Sequence, residues 1–223
     1  MQNSTVSIII PVYNVFPYVR ESITSAIQQT YPRLEIIVID DGSTDGSGEI
    51  CDEIAMMDGR ITVVHTENRG LSAARNTGLK MMTGDVVAFL DSDDAFMPDT
   101  IEKALHAMID KDAEIVSFGF ISLRTKGLLK EADRKKQKVS LCIPPAGWYR
   151  PDEWLRSLIQ GRQFCVAVWC MISRTSLWKN IAFPEGYVYE DNYVVPEIVK
   201  RSGSIASLSE IFVLNRRRKG SNR

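Results

Sequence analysis

The chain has 223 residues, enough for one large domain with a substantial buried core. Its 44% hydrophobic and 25% charged residues are typical of a globular protein, which excludes a disordered or fibrous chain. The net charge of −1 excludes a chain-wide electrostatic affinity for nucleic acid, so no nucleic-acid partner is expected. Basic residues nevertheless crowd the C-terminal end, at Arg216, Arg217, Arg218, Lys219 and Arg223.

The cysteines and histidines argue against a zinc site. Four cysteines occur without a CxxC pair, and there are only two histidines, so free thiols are expected rather than structural zinc or a disulfide framework. Free thiols predict a reducing, cytoplasmic environment. Neither a signal-peptide pattern nor an apolar run of about 20 residues is present, so we predict no membrane-spanning helix.

Short β-branched runs alternate with helical patterns through about the first 97 residues. The predicted strands are Val6–Pro11, Leu34–Ile39, Ile61–His65 and Val86–Leu90, and helical patterns at 19–30, 45–57 and 71–82 separate them. This alternation predicts right-handed crossovers and an α/β fold with a mostly parallel central sheet flanked by helices. In such sheets ligands bind beyond the carboxyl ends of the strands.

The sequence pattern of the second half differs from that of the first. A helix from Pro98 to about Asp110 and a strand near 114–121 continue the sheet, and the highly charged segment 124–138 predicts a mobile loop or an exposed hairpin. A helix over 151–159, an apolar stretch over 164–172 and a helix starting near Glu190 follow. No linker or internal repeat interrupts the chain, so a single domain is predicted over 1–223.

A polar loop follows each of the four predicted strands of the first half. These loops are Pro11–Asn14, Asp40–Asp45, Asn68–Asn76 and Asp91–Asp94. A single acidic turn is explained by helix capping, and Asp45 or Thr44 is suited to cap the next helix. Four polar loops at one edge of a parallel sheet instead predict a binding site.

The motifs PVYN, IDDGSTDGS, RGLSAARNTGL and FLDSDD, in this order and spacing, resemble the inverting family 2 glycosyltransferases, whose nucleotide-sugar-binding domain has the GT-A fold. Downstream, 183–191 is similar to the family's Glu-Asp motif, and Trp169 matches its tryptophan-bearing strand. The resemblance implies a nucleotide-binding half at about 1–97. It implies an acceptor half at about 98–223, ending in the basic segment, in a chain that is either complete or truncated from a longer protein.

The resemblance implies that Asp93 binds a divalent metal, Mn²⁺ or Mg²⁺. Asp91 would lie near the ribose or a metal-bound water, and Asp94 would be a further ligand or contact the donor sugar. A hard cation held by one or two carboxylates and the substrate phosphates neutralises the charge of a departing diphosphate. Capping of the helix after Pro98 is the alternative, but it requires only one carboxylate.

For the nucleotide, the resemblance implies that Asp41, or Asp40 in its place, accepts a hydrogen bond from the uracil imide. Pro11 and Tyr13 would flank the base. Two alternatives stay open, in which Asp40 supports its own turn and Tyr13 fills the core.

For the chemistry, the resemblance implies that Asp191 is the general base that deprotonates the acceptor hydroxyl, with Glu190 as its support. The alternative is that Asp191 complements a helix dipole. Arg75 would pair with a diphosphate oxygen, or with Asp40 or Asp91 to organise the site.

Two departures from the family pattern affect the acceptor side. Many relatives carry Lys or Asn beside the tryptophan, whereas Trp169–Met171 implies an acceptor pocket with less charge. Near the C-terminus, 213–216 lacks the family's aromatic residues but retains Arg216, with Ser221 beyond it. The basic segment 216–219 would form a lid over the donor diphosphate, contact an anionic membrane surface, or be a solvated tail.

The resulting prediction is an inverting transfer from a nucleoside diphosphate sugar, UDP-linked, to a saccharide or lipid-linked acceptor. It would take place in the cytoplasm or at the inner face of the membrane. A sugar nucleotidyltransferase is one alternative, although PVYN stands where such enzymes carry a Gly-rich, basic loop. A catalytically degenerate nucleotide-sugar or carbohydrate-binding module is the other.

Overall fold

A computed structural model describes residues 4–123, 140–161 and 164–217. The segment 124–138 lies outside these residues, as do Arg218, Lys219 and Ser221, so the predicted loop and half of the predicted lid are not described. The strands are β1 Val6–Val12, β2 Leu34–Asp40, β3 Ile61–His65, β4 Val86–Phe89, β5 Ala95–Phe96, β6 Ile115–Leu123, β7 Ser140–Cys142, β8 Gly147–Tyr149, β9 Met171–Arg174 and β10 Ile205–Arg216. The helices are α1 Val19–Ile27, α2 Ser47–Ala55, α3 Leu71–Met81, α4 Thr100–Asp110, α5 Pro151–Ile159 and α6 Asp191–Arg201.

The strands of the described residues form one sheet in the order β3-β2-β1-β4-β9-β6-β10-β5, with β7 on β6 and β8 on β10. As predicted, β1 runs parallel to β2 and β4, and β2 runs parallel to β3. The second half is mixed, because β9 is antiparallel to both of its neighbours, β4 and β6. The predicted α/β fold with a helix-flanked sheet is confirmed, and the parallel pairing is concentrated in the first half.

Local capping explains where two helices begin. Helix α5 starts and ends as predicted, because Pro151 suits its first position and the Glu153 carboxylate accepts the Arg150 N–H at 3.1 Å. Helix α2 is shorter than the predicted 45–57. Its first residue, Ser47, donates its N–H to the Asp45 carboxylate at 3.0 Å, so Asp45 stands before the helix as a cap.

Alternate residues of β1 point to opposite faces of the sheet, and each face has its own core. Ile8 and Ile10 are fully buried on the face that carries α1, α2 and α4. Ile9 is fully buried on the other face, where α5 and α6 pack. On that second face, Phe89 at the end of β4 contacts the rings of Trp178 and Phe183, with centroids 5.1 and 5.5 Å away. This contact anchors the loop that leads to α6.

Helix α3 lies unusually close to β1. A Cβ atom at Gly78 would lie only 2.5 Å from Cγ2 of Ile9, so a side chain there would force the helix away. The close contact sets the position of the preceding turn of α3, which carries Arg75 into the sheet edge.

Two further expectations concern thiols and membrane spans. All four cysteines are free, as predicted. Among the described residues, no helix is both long and apolar enough to cross a membrane.

Candidate active site

Two adjoining hollows open at the carboxyl ends of β1, β2 and β4. The first hollow, of about 520 Å³, is lined by 11–15, Asp41, Asn68, Gly70, Leu71, Ala74 and 91–93. The second hollow, of about 460 Å³, is lined by 69–72, Arg75, Asp91, Trp169 and 186–191. They share Gly70, Leu71 and Asp91, so a ligand that spans both would pass over Asp91.

Five of the residues selected from the sequence meet in the first hollow, namely Pro11, Tyr13, Asp41, Asp91 and Asp93. Tyr13 is 47% exposed and is therefore not core filler. Asn14, Asn68 and Ser92 line the same hollow but were not selected individually. The sequence indicated these three residues only as members of the polar loops that follow the strands.

Asp41 holds the loop between β3 and α3. Its carboxylate accepts the backbone N–H groups of Arg69 at 3.0 Å and Gly70 at 2.7 Å. Gly70 has φ +89°, which favours glycine at this position. The Thr66 hydroxyl is a third donor at 3.4 Å, and Asp41 is 3% exposed. A carboxylate has about four lone-pair positions, so about one remains for a ligand in the first hollow.

Asp40 does not line either hollow, so the structure does not favour it as the alternate nucleotide contact. Its side chain is nearly buried, accepts the Ser43 N–H at 3.0 Å and lies 2.8 Å from Nδ1 of His65. The hydrogen bond to Asp40, followed by that to Asp52, raises the pKa of His65. Asp40 therefore supports its own turn, because its oxygens face the His65 ring rather than the ligand edge.

The three aspartates after β4 point in different directions. Asp91 and Asp93 face the first hollow, whereas Asp94 is 2% exposed. The Asp94 carboxylate accepts the Arg216 N–H at 2.6 Å and the Asn215 side-chain amide at 2.9 Å. Burial raises the pKa of Asp94. The structure therefore does not favour Asp94 as a ligand of metal or donor sugar, because both of its oxygens accept hydrogen bonds from β10.

The remaining two carboxylates fit a hard divalent cation. In the part of the chain that the structure describes, no group of three or more His, Cys, Asp or Glu residues is arranged to hold a metal ion by itself. Asp91 and Asp93 would thus supply two oxygen ligands, and substrate phosphates and water would complete the shell. This is the ligand set in which Mg²⁺ is usually held.

Arg75 connects the two hollows. Its guanidinium contacts Asp91 at 2.8 Å, Glu190 at 2.5 Å and Asp191 at 3.1 Å, and it is 1% exposed. Burial alone would lower the pKa of Arg75, but the charges of the three carboxylates outweigh it and raise the pKa. Of the partners proposed from the sequence, Asp91 is present and Asp40 is not. The contacts with Glu190 and Asp191 had not been predicted.

Asp191 begins α6 at the base of the second hollow. One carboxylate oxygen lies near Arg75 and the other accepts the Val168 N–H at 3.3 Å. Burial, with added repulsion from Glu190 and Asp91, raises the pKa of Asp191 from 3.8 to about 6 despite the opposing charge of Arg75. An ionised carboxylate with a pKa near neutrality is suited to general-base catalysis.

Arg216 lies outside both hollows, so the structure does not bring it to the donor site at which it was expected. Its guanidinium pairs with Glu21 at 2.8 Å and lies 4.5 Å from the centre of the Tyr18 ring. With 3% exposure, it anchors the end of β10 to α1. The side chain is directed to α1 because its backbone N–H is held by Asp94.

Asn76 was quoted in a motif but given no role, and it holds the loop before α6. Its amide donates to the carbonyl oxygen of Phe183 at 2.9 Å, and its amide oxygen accepts the Phe183 N–H at 2.7 Å. The exposed pair Arg69–Glu185, at 2.6 Å, makes a second connection between the loops of the two halves. These contacts bring 183–191 against α3.

The geometry defines a GT-A fold, and solved structures share it. TarS from S. aureus, in complex with UDP-GlcNAc, has a TM-score of 0.81 at 24% identity, covering 98% of this chain and 60% of that one. The mannosyltransferase PcManGT from Pyrobaculum calidifontis, in complex with GDP-Man and Mn²⁺, has a TM-score of 0.69 at 21% identity, covering 98% and 59%. At these identities the likeness shows the fold alone.

The family follows from sequence comparison. The family model for glycosyl transferase family 2 matches residues 7–180, and the chain belongs to this family. Glycosyltransferase GlyA from Streptococcus pneumoniae is 34% identical over an alignment of 223 positions, which covers 97% of this chain and 31% of GlyA. An uncharacterized glycosyltransferase from Haemophilus influenzae is 46% identical over 185 residues, 82% of this chain and 68% of the relative. The chain thus spans about a third of GlyA and 60% of the TarS 1–349 chain.

Proposed function

We propose that the chain transfers a sugar, with inversion, from a UDP-linked donor to a saccharide or lipid-linked acceptor. One observation carries this proposal. The buried Arg75 joins Asp91 of the first hollow to Glu190 and Asp191 of the second. A single cation therefore links a leaving-group side to a base side, which would hold the groups of a one-step displacement close to each other.

The donor would occupy the first hollow. Pro11 and Tyr13 would flank the base, and the remaining lone pair of Asp41 suits the N3–H of uracil. The complexes of TarS with UDP-GlcNAc and of PcManGT with GDP-Man and Mn²⁺ support a nucleotide sugar in this fold. When bound at Asp91 and Asp93, a divalent cation supplies charge neutralisation for the departing diphosphate.

The acceptor would enter the second hollow with one hydroxyl directed at Asp191. The hydroxyl oxygen attacks the anomeric carbon, its proton passes to the Asp191 carboxylate, and the bond from that carbon to the diphosphate breaks. Attack from the face opposite the diphosphate inverts the configuration. Glu190 and the Val168 N–H would hold the base, the former through Arg75 and the latter directly.

Nucleotide binding tests the donor site directly. We expect UDP with Mn²⁺ at about 100 times Kd to stabilise the fold by about 2.7 kcal/mol, a rise in Tm of about 5–10 °C. Asp93→Asn should lose the Mn²⁺-dependent part, whereas the exposed Asp110→Asn should behave like the wild type. A thermal-shift panel of UDP, GDP, CDP and dTDP measures this. If none of these nucleotides stabilises the fold, the donor-site proposal is wrong. If GDP stabilises it more than UDP does, the donor carries guanine rather than uracil.

The pKa of Asp191 predicts how transfer depends on pH. Because the base must be deprotonated and its pKa is about 6, kcat/KM should be level above pH 7. Below pH 6 it should fall by about tenfold per pH unit. Release of UDP between pH 5 and 8.5 gives the profile, with circular dichroism as the control for folding. A level profile down to pH 5 in a folded protein would contradict this assignment.

A further inference from the structure

Four apolar side chains surround the mouth of the second hollow, and none is covered by the described part of the chain. The aromatic rim consists of Tyr187, Val188, Tyr189 and Tyr193, whose exposures are 61%, 66%, 55% and 57%. Isolated exposed apolar residues are ordinary, but a contiguous group beside a cleft indicates a binding surface. Three of the four line the same hollow as Asp191.

We propose that the aromatic rim binds the apolar face of an uncharged pyranose ring of the acceptor and thereby selects a neutral saccharide. This inference rests on the proposed function and gives its acceptor a chemical class. A pyranose has a C–H face and an edge of hydroxyl groups. On the rim, the C–H face would stack on tyrosine rings while an edge hydroxyl reaches Asp191.

The rim is held in shape before any ligand binds. The rings of Tyr187 and Tyr193 pack against each other, with centroids 5.6 Å apart and planes at 62°. Tyr189 has φ +58°, in the left-handed region that non-glycine residues rarely adopt. Backbone strain of this kind persists where the surroundings determine it and clusters at ligand sites. Tyr189 stands two positions before Asp191, so its backbone conformation sets the position of the rim relative to the Asp191 carboxylate.

The charge of the hollow favours a neutral ring. Its lining holds two cations, Arg69 and Arg75, and three anions, Asp91, Glu190 and Asp191, for a formal charge of −1. Both cations are already paired, Arg75 with the three carboxylates and Arg69 with Glu185 at 2.6 Å. Among these lining residues, a carboxylate or phosphate would therefore meet a net negative charge and no cation without a carboxylate partner.

The same features disfavour a lipid as the occupant of the rim. An acyl chain offers no hydroxyl groups to the polar wall of the hollow, and anionic headgroups would be repelled by it. Tyrosine joins an apolar ring to a hydroxyl that donates or accepts a hydrogen bond, which matches a sugar better than a hydrocarbon.

The test measures sugar binding without requiring turnover. Methyl glycosides of neutral hexoses and N-acetylhexosamines, and their di- and trisaccharides, are added to the chain with UDP and Mn²⁺, and saturation-transfer NMR is recorded. We expect transfer to the C–H protons of at least one neutral sugar. Tyr187→Ala and Tyr193→Ala should each raise its Kd by about tenfold, equivalent to about 1.4 kcal/mol. Tyr187→Phe, which keeps the ring and loses only the hydroxyl, should raise the Kd less than Tyr187→Ala does.

A control variant and a charged sugar test whether binding depends on the rim and on a neutral ring. Trp148→Ala removes a 50% exposed aromatic residue on β8, away from both hollows, and should leave the sugar Kd unchanged. Methyl glucuronide should bind at least about tenfold more weakly than its neutral counterpart. Equal binding of glucuronide, no saturation transfer to any sugar, or Tyr187-dependent binding to phosphatidylglycerol vesicles would each overturn the assignment.

Nucleotide binding distinguishes this failure from failure of the proposed function. UDP with Mn²⁺ is titrated into the wild type and both alanine variants, where an unchanged Kd is expected. If UDP binds and no sugar does, the rim assignment alone is wrong. If no nucleoside diphosphate binds the wild type, the donor site itself is wrong.

Discussion

Asp191→Asn is expected to lower the rate of sugar transfer by about 10²- to 10⁴-fold while leaving the Kd for UDP and Mn²⁺ unchanged. Asparagine keeps the shape of the side chain and an oxygen that accepts from Arg75 or Val168, but it cannot take a proton from the acceptor. Single-turnover release of UDP measures the rate, and calorimetric titration measures the Kd.

The same substitution has an expected effect on stability. Because burial raises the pKa of Asp191 from 3.8 to about 6, the ionised form costs folding energy at pH 7.5. A raised acid pKa means that this cost grows as pH rises through 4–6. Asp191→Asn should therefore unfold at the same or a higher temperature than the wild type at pH 7.5, with a gain of up to about 3 kcal/mol.

The matched control for Asp191→Asn is Asp110→Asn, an exposed aspartate at the end of α4. It should change neither the rate nor the Kd. Transfer retained in Asp191→Asn would assign the base to another group. Loss of UDP binding together with transfer would show that the variant had disturbed the donor side instead.

Arg75→Met is expected to destabilise the fold by about 3–5 kcal/mol. The substitution retains apolar packing in place of the side chain, but it leaves Asp91, Glu190 and Asp191 without their shared cation. Without the opposing charge of Arg75, the pKa of Asp191, which burial already raises, should rise further above its unfolded value. The stability of the variant should then increase as pH falls from 8 to 5, which urea unfolding at several pH values measures.

Arg20→Met is the control for the loss of an arginine pair. Arg20 contacts Glu53 at 2.6 Å, but both side chains are more than half exposed, so a change within about 1 kcal/mol is expected. If Arg75→Met were no more destabilised than Arg20→Met, the carboxylates would not depend on Arg75, and the coupling of the two hollows would be wrong. Arg75→Lys should be intermediate, because one ammonium cannot reach all three carboxylates as the forked guanidinium does.

The order of strands and helices in the first half was predictable because the hydrophobic pattern of β1, β2 and β3 has a local cause. Runs such as SIIIP and EIIVI are suited only to strands covered on both faces, and the parallel sheet follows from the helices between them. The antiparallel β9 was not predictable, since its direction depends on how a chain segment 80 residues after β4 returns to the sheet.

The candidate site, like the fold, could be predicted from the sequence only in part. The residue types and spacing of PVYN, DDGS and DSDD indicated a nucleotide-sugar site, and Pro11, Tyr13, Asp41, Asp91 and Asp93 do line one hollow. Their assigned roles remain predictions. The motifs could identify this edge of the sheet because the loops after neighbouring parallel strands meet there whatever the rest of the chain does.

The direction of each side chain, in contrast, was decided by tertiary packing. Asp94 turns to β10, 122 residues away along the chain, and Arg216 turns to Glu21, 195 residues away. Arg75 contacts Glu190 and Asp191 because of two packing contacts. Gly78 allows α3 to lie against β1, and Asn76 holds the loop before α6. A local pattern specifies which groups a loop carries, but partners this distant along the chain are set by where packed helices and strands meet.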